Sequence, residues 1–273
     1  MKSQPAVGGA DQPALHRIAA VIPAHNVARD IAATVRACRA IPGVDLLVVV
    51  DDGSDDETGR AARAAGAVVV RHSVPRGRAS AMETGVKVAA MRDHADLPAR
   101  HILFLSGDLG ESAVEATSLV EAVVDGRADC AVGVNPSTPA VKGSSVNMAR
   151  RAIRRATGWD PLHPLAHERC VTREVLNAVM PFSNGHGLEV ALAIDLLSEG
   201  FSIIELPCAF THLAAEDAVE RYQRPVRYAE TIASIVMKWL KRKRLSKRRK
   251  ATKEQKMGEP YPLPASERRA AQV

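Results

Sequence analysis

Aromatic side chains are scarce: two Trp, three Tyr and four Phe make up 3% of the 273 residues. So few rings argue against a stacking platform for single-stranded nucleic acid. Cysteine is also rare. Cys38, Cys130, Cys170 and Cys208 stand far apart, with no C-x-x-C pair, which leaves small buried thiols in a reducing compartment as the reading. Residues 1–17 contain no apolar leader core, so no secretory signal is expected. No apolar run reaches the ~18 residues that a transmembrane helix requires. Neither G-x-x-x-x-G-K-[ST] nor G-x-G-x-x-G occurs, which disfavours P-loop and dinucleotide sites. No internal repeat is visible. A chain with 46% hydrophobic and 25% charged residues is globular and can bury a sizeable core.

The net charge of +6 suggests a nucleic-acid binder only until it is localised. Residues 238–256 hold 11 Lys or Arg and one Glu, so the remainder carries 26 basic and 30 acidic residues, a net charge of −4. The globular part is mildly acidic, nucleic acid is disfavoured as a partner, and the basicity belongs to one segment. Its place just after an apolar helical face over residues 226–240, ending at Trp239 and Leu240, suits an anionic membrane surface. A solubilising disordered tail is the alternative. The expected location is the cytoplasm, with peripheral contact at the inner face of the membrane as an extension.

Apolar runs at residues 18–22, 46–50, 67–70 and 101–105 alternate with helical spacing over 28–40, 58–65 and 79–91. Continuous rather than alternating apolar strands belong to a parallel sheet covered on both faces. The expected fold is therefore α/β, a Rossmann-like, mostly parallel sheet flanked by helices. Further on, residues 130–134 and 201–206 read as strands, and 146–156 and 189–199 as helices. The expected organisation is a flexible N-terminus (1–17), a first half (18–134), a second half of the same domain (135–225), an amphipathic helix (226–244) and a basic, disordered tail (245–273).

In such sheets ligands sit at the carboxyl ends of strands, and the residues found there carry chemistry. Pro23-Ala24-His25-Asn26 follows the first run and Asp51-Asp52-Gly53-Ser54-Asp55-Asp56-Glu57-Thr58 the second. Paired carboxylates there can bind the donors of a base or ribose, although helix capping alone would explain Ser54 or Asp55. Arg76-Gly77-Arg78 after the third run can hold a pyrophosphate through charge and helix N-terminal amides, or be a surface loop. Ser106-Gly107-Asp108 after the fourth offers one carboxylate for Mg²⁺ or Mn²⁺ bound to phosphates, or a turn cap.

These pieces, in this order, resemble the nucleotide-binding half of the GT-A glycosyltransferases of the family-2 type, the group that includes the dolichyl-phosphate mannose synthases, with the glucosyl-3-phosphoglycerate synthases as retaining relatives. The resemblance implies that Pro23, Ala24, His25, Asn26, Asp51, Asp52 and Ser54 border the nucleoside, and that Arg76 and Gly77 lie near the diphosphate. Ser106, Gly107 and Asp108 would form the metal motif, in which the family usually has Asp-x-Asp and this chain has Ser first. Segments 164–169, 172–176 and 185–189 resemble the acceptor side of those enzymes, which implies that Arg169, His186, Gly187 and Glu189 border donor sugar and acceptor. Glu189 is the candidate base, or a helix N-terminal carboxylate, and His212 falls where the relatives carry a histidine that completes the metal site. The resemblance runs from about residue 18 to 224 and implies a metal-dependent glycosyltransferase using Mg²⁺ or Mn²⁺ and a nucleoside-diphosphate sugar such as a UDP or GDP sugar. The acceptor would be a phosphorylated small molecule or a polyprenyl phosphate, and a homodimer stays open. Arg150, Arg151, Arg154 and Arg155 meet an acceptor phosphate or form a solvated helix face. The competing readings are a non-catalytic scaffold of the same fold, motivated by Ser106, and a sugar nucleotidyltransferase, disfavoured because no Gly-rich basic loop follows the first run.

Overall fold

The computed structural model describes residues 16–136, 144–185, 187–213 and 257–262. His186, the helix expected over 226–244 and the basic stretch 238–256 lie outside the described residues. Among the described residues seven strands form one sheet: β1 (Ile18–Ala24), β2 (Val44–Asp51), β3 (Val68–Arg71), β4 (His101–Phe104), β5 (Cys130–Val134), β6 (Arg169–Val171) and β7 (Ile203–Pro207), in the order β3-β2-β1-β4-β6-β5-β7. Only β6 runs antiparallel to its neighbours. The mostly parallel α/β architecture expected from the apolar runs is therefore present.

Both faces of the sheet are covered, which is why its strands read as unbroken apolar runs. Ala19, Val21, Val48, Val50, Ile102 and Phe104 point into one layer with α3 (Arg78–Ala90), α5 (Ser144–Thr157), α6 (Arg173–Val179) and α7 (Leu188–Ser198). Ile18, Ala20, Ile22, Val49 and Leu103 point into the other, with α1 (Ile31–Arg39), α2 (Thr58–Ala64), a 3-10 turn (Gly110–Ala116) and α4 (Thr117–Val124). All four cysteines are buried free thiols, and burial pushes Cys38 and Cys130 up to about 12, far from thiolate chemistry.

Boundaries differ from expectation where local chemistry was outweighed. β1 does not stop at Pro23 but runs through it to Ala24, which pairs with Asp51. β6 was not legible at all: it has three residues and opens on an arginine. The tail expected to be disordered beyond residue 245 returns at residues 257–262, where Tyr261 forms an antiparallel bridge with Ile203 and the Gly258 amide donates to the Glu205 carbonyl at 2.9 Å.

Close packing of α3 on β1 rests on Gly85, where an added Cβ would fall 2.2 Å from a Val21 methyl carbon. Val21 is buried and β-branched, so it cannot swing away. Gly85→Val should therefore cost about 1–3 kcal/mol of stability through overpacking, read as a fall in the urea midpoint at unchanged m-value.

Candidate active site

The first two strand ends are zipped together by their loops. Asn26 sits at φ +54°, a left-handed conformation that asparagine tolerates better than most residues. From there its amide donates to Ser54 Oγ at 3.1 Å, and its Oδ1 accepts the Asp55 amide at 2.9 Å. Val27 N–H donates to Thr58 Oγ1 at 2.8 Å, and Ala28 N–H to Asp56 at 3.1 Å. His25 Nδ1 donates to the Asp52 carbonyl at 3.0 Å. Pro23, Ala24, His25, Asn26, Asp51, Asp52 and Ser54 are thus gathered at one corner of the sheet.

The two aspartates face inward. Asp51 is fully buried, accepts the Ser54 amide at 2.9 Å and leaves Oδ2 without a hydrogen bond, 3.7 Å from Arg71 Nε. Gly59 is required beside it, since a Cβ there would sit 2.7 Å from that oxygen. Asp52 is 7% exposed and accepts three donors: His72 Nδ1 at 2.6 Å, Arg76 N–H at 2.8 Å and Gly77 N–H at 2.7 Å. Burial works against charge on Asp52, but the Arg76 amide, His72 and the Gly77 amide outweigh it and hold its carboxyl below the usual range.

These bonds shape the basic loop. Gly53, at φ +71°, lets Pro75 approach so closely that a Cβ would meet its nitrogen at 2.8 Å. Arg76 and Gly77 are exposed at the rim. Arg78, the first residue of α3, points inward: its Nη2 donates to the His167 carbonyl at 3.3 Å, and its Nε is buried without a hydrogen bond, 4.0 Å from Glu189. Of the two arginines in this loop, Arg78 is the one that faces the centre of the site.

The turn Ser106-Gly107-Asp108 is anchored from α1, where Thr34 Oγ1 donates to the Gly107 carbonyl and accepts the Gly110 amide, both at 2.9 Å. Gly107 has little room, since a Cβ would lie 3.0 Å from a Val27 methyl. Asp108 meets His212, 104 residues away: Nδ1 is 3.1 Å from one carboxylate oxygen and 3.2 Å from the other. The hydrogen bond that His212 donates to Asp108 raises the His212 pKa above its ordinary value, burial opposes it, and the charges of Glu168 and Asp108 add to the rise.

Because β6 runs antiparallel, its amino end lies at the same sheet edge as the carboxyl ends of β4 and β5, which places His167 and Glu168 beside the Ser106 turn. Ser106 donates its hydroxyl to Glu168 at 2.7 Å. Burial disfavours charge on Glu168, and His167, Arg78 and His212, together with the Ser106 hydroxyl, outweigh it, so its pKa is lowered. Across from it, Glu189, in the first turn of α7, is 7% exposed and lies 3.6 Å from His167 Nε2. Loss of hydration and then the Arg78 charge push the His167 pKa down. Arg169 is buried below this cluster, and its guanidinium donates to the Ala166 and His167 carbonyls, so it braces the loop from beneath. Arg150 and Arg154 share Asp160, at 2.6 and 3.7 Å, while Arg151 and Arg155 are exposed.

Arg78 was read from the sequence with Arg76 as a basic pair around Gly77 able to hold a pyrophosphate, but not as a partner of Glu189. His167 and Glu168 fall within segment 164–169, which resembles the acceptor side, yet neither was given a role of its own. The antiparallel course of β6 is what brings them beside the Ser106 turn.

A glycosyl transferase family 2 model matches residues 19–176, more than half of the chain. The chain is 28% identical over 194 residues to glycosyltransferase AglJ of Haloferax volcanii, covering 69% of this chain and 61% of that protein. It is 39% identical over 71 residues to the uncharacterized protein MJ1222 of Methanocaldococcus jannaschii, covering 26% of this chain and 29% of that one. The chain thus spans less than two thirds of both curated relatives, 61% of one and 29% of the other. Its fold superposes on glucosyl-3-phosphoglycerate synthase of Mycobacterium tuberculosis solved with Mn²⁺, uridine diphosphate and phosphoglyceric acid (TM-score 0.64, 23% identity, 81% of this chain and 78% of that one). The same enzyme with Mg²⁺ and uridine diphosphate superposes equally (TM-score 0.64, 24% identity, 81% and 79%). With a mostly parallel sheet whose loops converge on Asp108, Arg78 and Glu189, and a family match across the strands that carry the first two, the chain belongs to glycosyl transferase family 2.

Proposed function

We propose that the protein transfers a sugar from a nucleoside-diphosphate donor, a uridine diphosphate sugar first, to a hydroxyl of a phosphorylated small-molecule or polyprenyl-phosphate acceptor. The observation that carries this reading is the meeting of Asp108, His212, Arg78 and Glu189 at one sheet edge from four separate segments. The nucleoside would lie in the corner framed by Pro23 to Asn26 and Asp51 to Ser54, with the diphosphate toward Arg76, Gly77 and Arg78. The acceptor oxygen bonds to the anomeric carbon as that carbon's bond to the diphosphate breaks. Its proton passes to Glu189 if the product is inverted, or to the departing phosphate oxygen if configuration is retained; the product's anomeric configuration by NMR decides.

The residues present fit a divalent cation. Asp108 offers carboxylate oxygens and His212 a ring nitrogen, and among the described residues no group of three such side chains is found. Mg²⁺ and Mn²⁺ are commonly held by one or two protein ligands with substrate phosphates supplying the rest. Bound there, Mg²⁺ or Mn²⁺ would neutralise charge on the leaving diphosphate. The net charge of −4 outside residues 238–256 makes that neutralisation the more necessary.

Thermal-shift titration of uridine and guanosine diphosphates and their sugars, with and without Mn²⁺, tests the reading, since a ligand at 100 times its dissociation constant adds ~2.7 kcal/mol. Absence of any metal-dependent stabilisation would overturn it. The pH dependence has a definite sign. Below its raised pKa, His212 is an imidazolium paired with Asp108, so nucleotide binding in Mn²⁺ is expected to strengthen as pH rises from 6.5 through that value. The pair's own contribution to stability runs the other way: present below 6.5, it is lost over the same rise. Ligand-free Tm should fall across this window while the Mn²⁺-nucleotide increment grows.

No helix among the described residues is long and apolar enough to cross a membrane. The 11 basic residues of 238–256 support binding to an anionic leaflet, which suits a lipid-linked acceptor. Cosedimentation with vesicles containing phosphatidylserine should be lost when those residues are changed to Gln; undiminished sedimentation would exclude the anchor.

A further inference from the structure

We propose that His72 and Asp52 are positioning residues that set where the basic loop meets the donor diphosphate, an assignment that rests on the reading above. The loop has little else to hold it. Residues 73–77 are exposed, and Val74 is 57% exposed, so apolar burial does not fix their path. Their fastening is the Asp52 carboxylate, which accepts the amides of Arg76 at 2.8 Å and Gly77 at 2.7 Å. Gly77 is held there at φ +87°, a conformation other residues adopt only under strain.

An ionised Asp52 is acceptor-only, so the ring nitrogen of His72 that meets it at 2.6 Å carries the hydrogen. The other ring nitrogen lies 3.0 Å from Thr84 Oγ1 on α3, whose hydroxyl is also 2.9 Å from the Ser80 carbonyl. A continuous path therefore runs from the loop amides through Asp52 and His72 into the first turns of α3. The same helix begins at Arg78, which faces Glu189 and the His167 carbonyl. The orientation of Arg78 and the free amides at the start of α3 is thereby tied to a buried imidazole that touches no substrate itself. Removing His72 leaves Asp52 with fewer donors and frees it to rotate, and the loop loses its template.

The test is equilibrium binding of UDP and of uridine, in Mn²⁺, to the full chain and to His72→Leu and His72→Asn. Asn returns a side-chain N–H donor toward Asp52, and Leu does not. Affinity of His72→Leu for UDP should fall about 10-fold, equivalent to ~1.4 kcal/mol, with uridine affinity unchanged, because the loop serves the diphosphate and not the base. His72→Asn should recover most of the loss. Equal losses for UDP and uridine, or a UDP loss that Asn leaves in place, would assign His72 a merely structural part and overturn the proposal. Wild-type binding of UDP with no change in His72→Leu overturns it as well and leaves the functional reading standing. A wild-type chain that binds no nucleotide overturns both.

Discussion

Asp108→Asn is expected to lower Mn²⁺-stimulated turnover of the donor nucleotide sugar by about 10²–10³-fold, the usual scale for loss of one electrostatic stabiliser of developing charge. Asn keeps the shape and size of the side chain and leaves the Leu213 amide bonded to the residue 108 carbonyl at 2.9 Å. The turn itself is held by Thr34 from α1, so above the raised His212 pKa, where the ion pair no longer adds stability, Tm should change little. What disappears is the negative charge that a cation would share with His212, and with it the charge that raises the His212 pKa. Two measurements on one preparation separate the cases: metal-stimulated release of nucleoside diphosphate, and melting of the ligand-free protein. A variant that melts like wild type but no longer responds to Mn²⁺ supports the site. One that keeps metal-stimulated turnover removes Asp108 from it.

The pairing of Asp108 with His212 was legible from sequence only through the family resemblance, which implied a metal site for both; strand-end position alone pointed to Asp108 but not to His212, five residues beyond β7. The first four strands were legible directly: burial on both faces leaves runs such as residues 46–50 wholly apolar. β6 was not, since three residues beginning with Arg169 carry no periodicity. With β6 unread, neither the Ser106–Glu168 hydrogen bond nor the nearness of His167 to Glu189 could be foreseen. The inward turn of Arg78 depended on Gly53 admitting Pro75 and on Asp52 catching two amides, contacts between loops that leave no composition signal. Asp52, expected to border the nucleoside, also accepts three of the chain's own donors, which the sequence did not show.

Tyr261→Ala carries the largest expected loss of stability, about 3 kcal/mol by analogy with truncation of other buried aromatics. Tyr261 is 7% exposed and packs into the core layer beside Ile203. Its hydroxyl donates to the Thr157 carbonyl at 3.0 Å, and its amide and carbonyl pair with Ile203 at 2.8 Å each. β7 lies at the edge of the sheet, and an uncovered edge offers unpaired backbone groups; residues 257–262 cover part of it. Tyr261→Phe, which loses the hydroxyl bond alone, should cost only about 1 kcal/mol. Calorimetry of both variants would show this ordering, and equal melting of all three proteins would refute the anchoring role. The effect should reach catalysis, because the Glu205 carboxylate of β7 holds the Leu162 and His163 amides at 2.9 and 2.8 Å. Those amides begin the segment that leads to His167 and Glu168. Deleting everything after residue 237 to test membrane binding would therefore unlatch this edge along with the basic stretch. Exchanging the 11 basic residues of 238–256 for Gln leaves Tyr261 in the chain, so a loss of vesicle binding at unchanged Tm would report on charge alone.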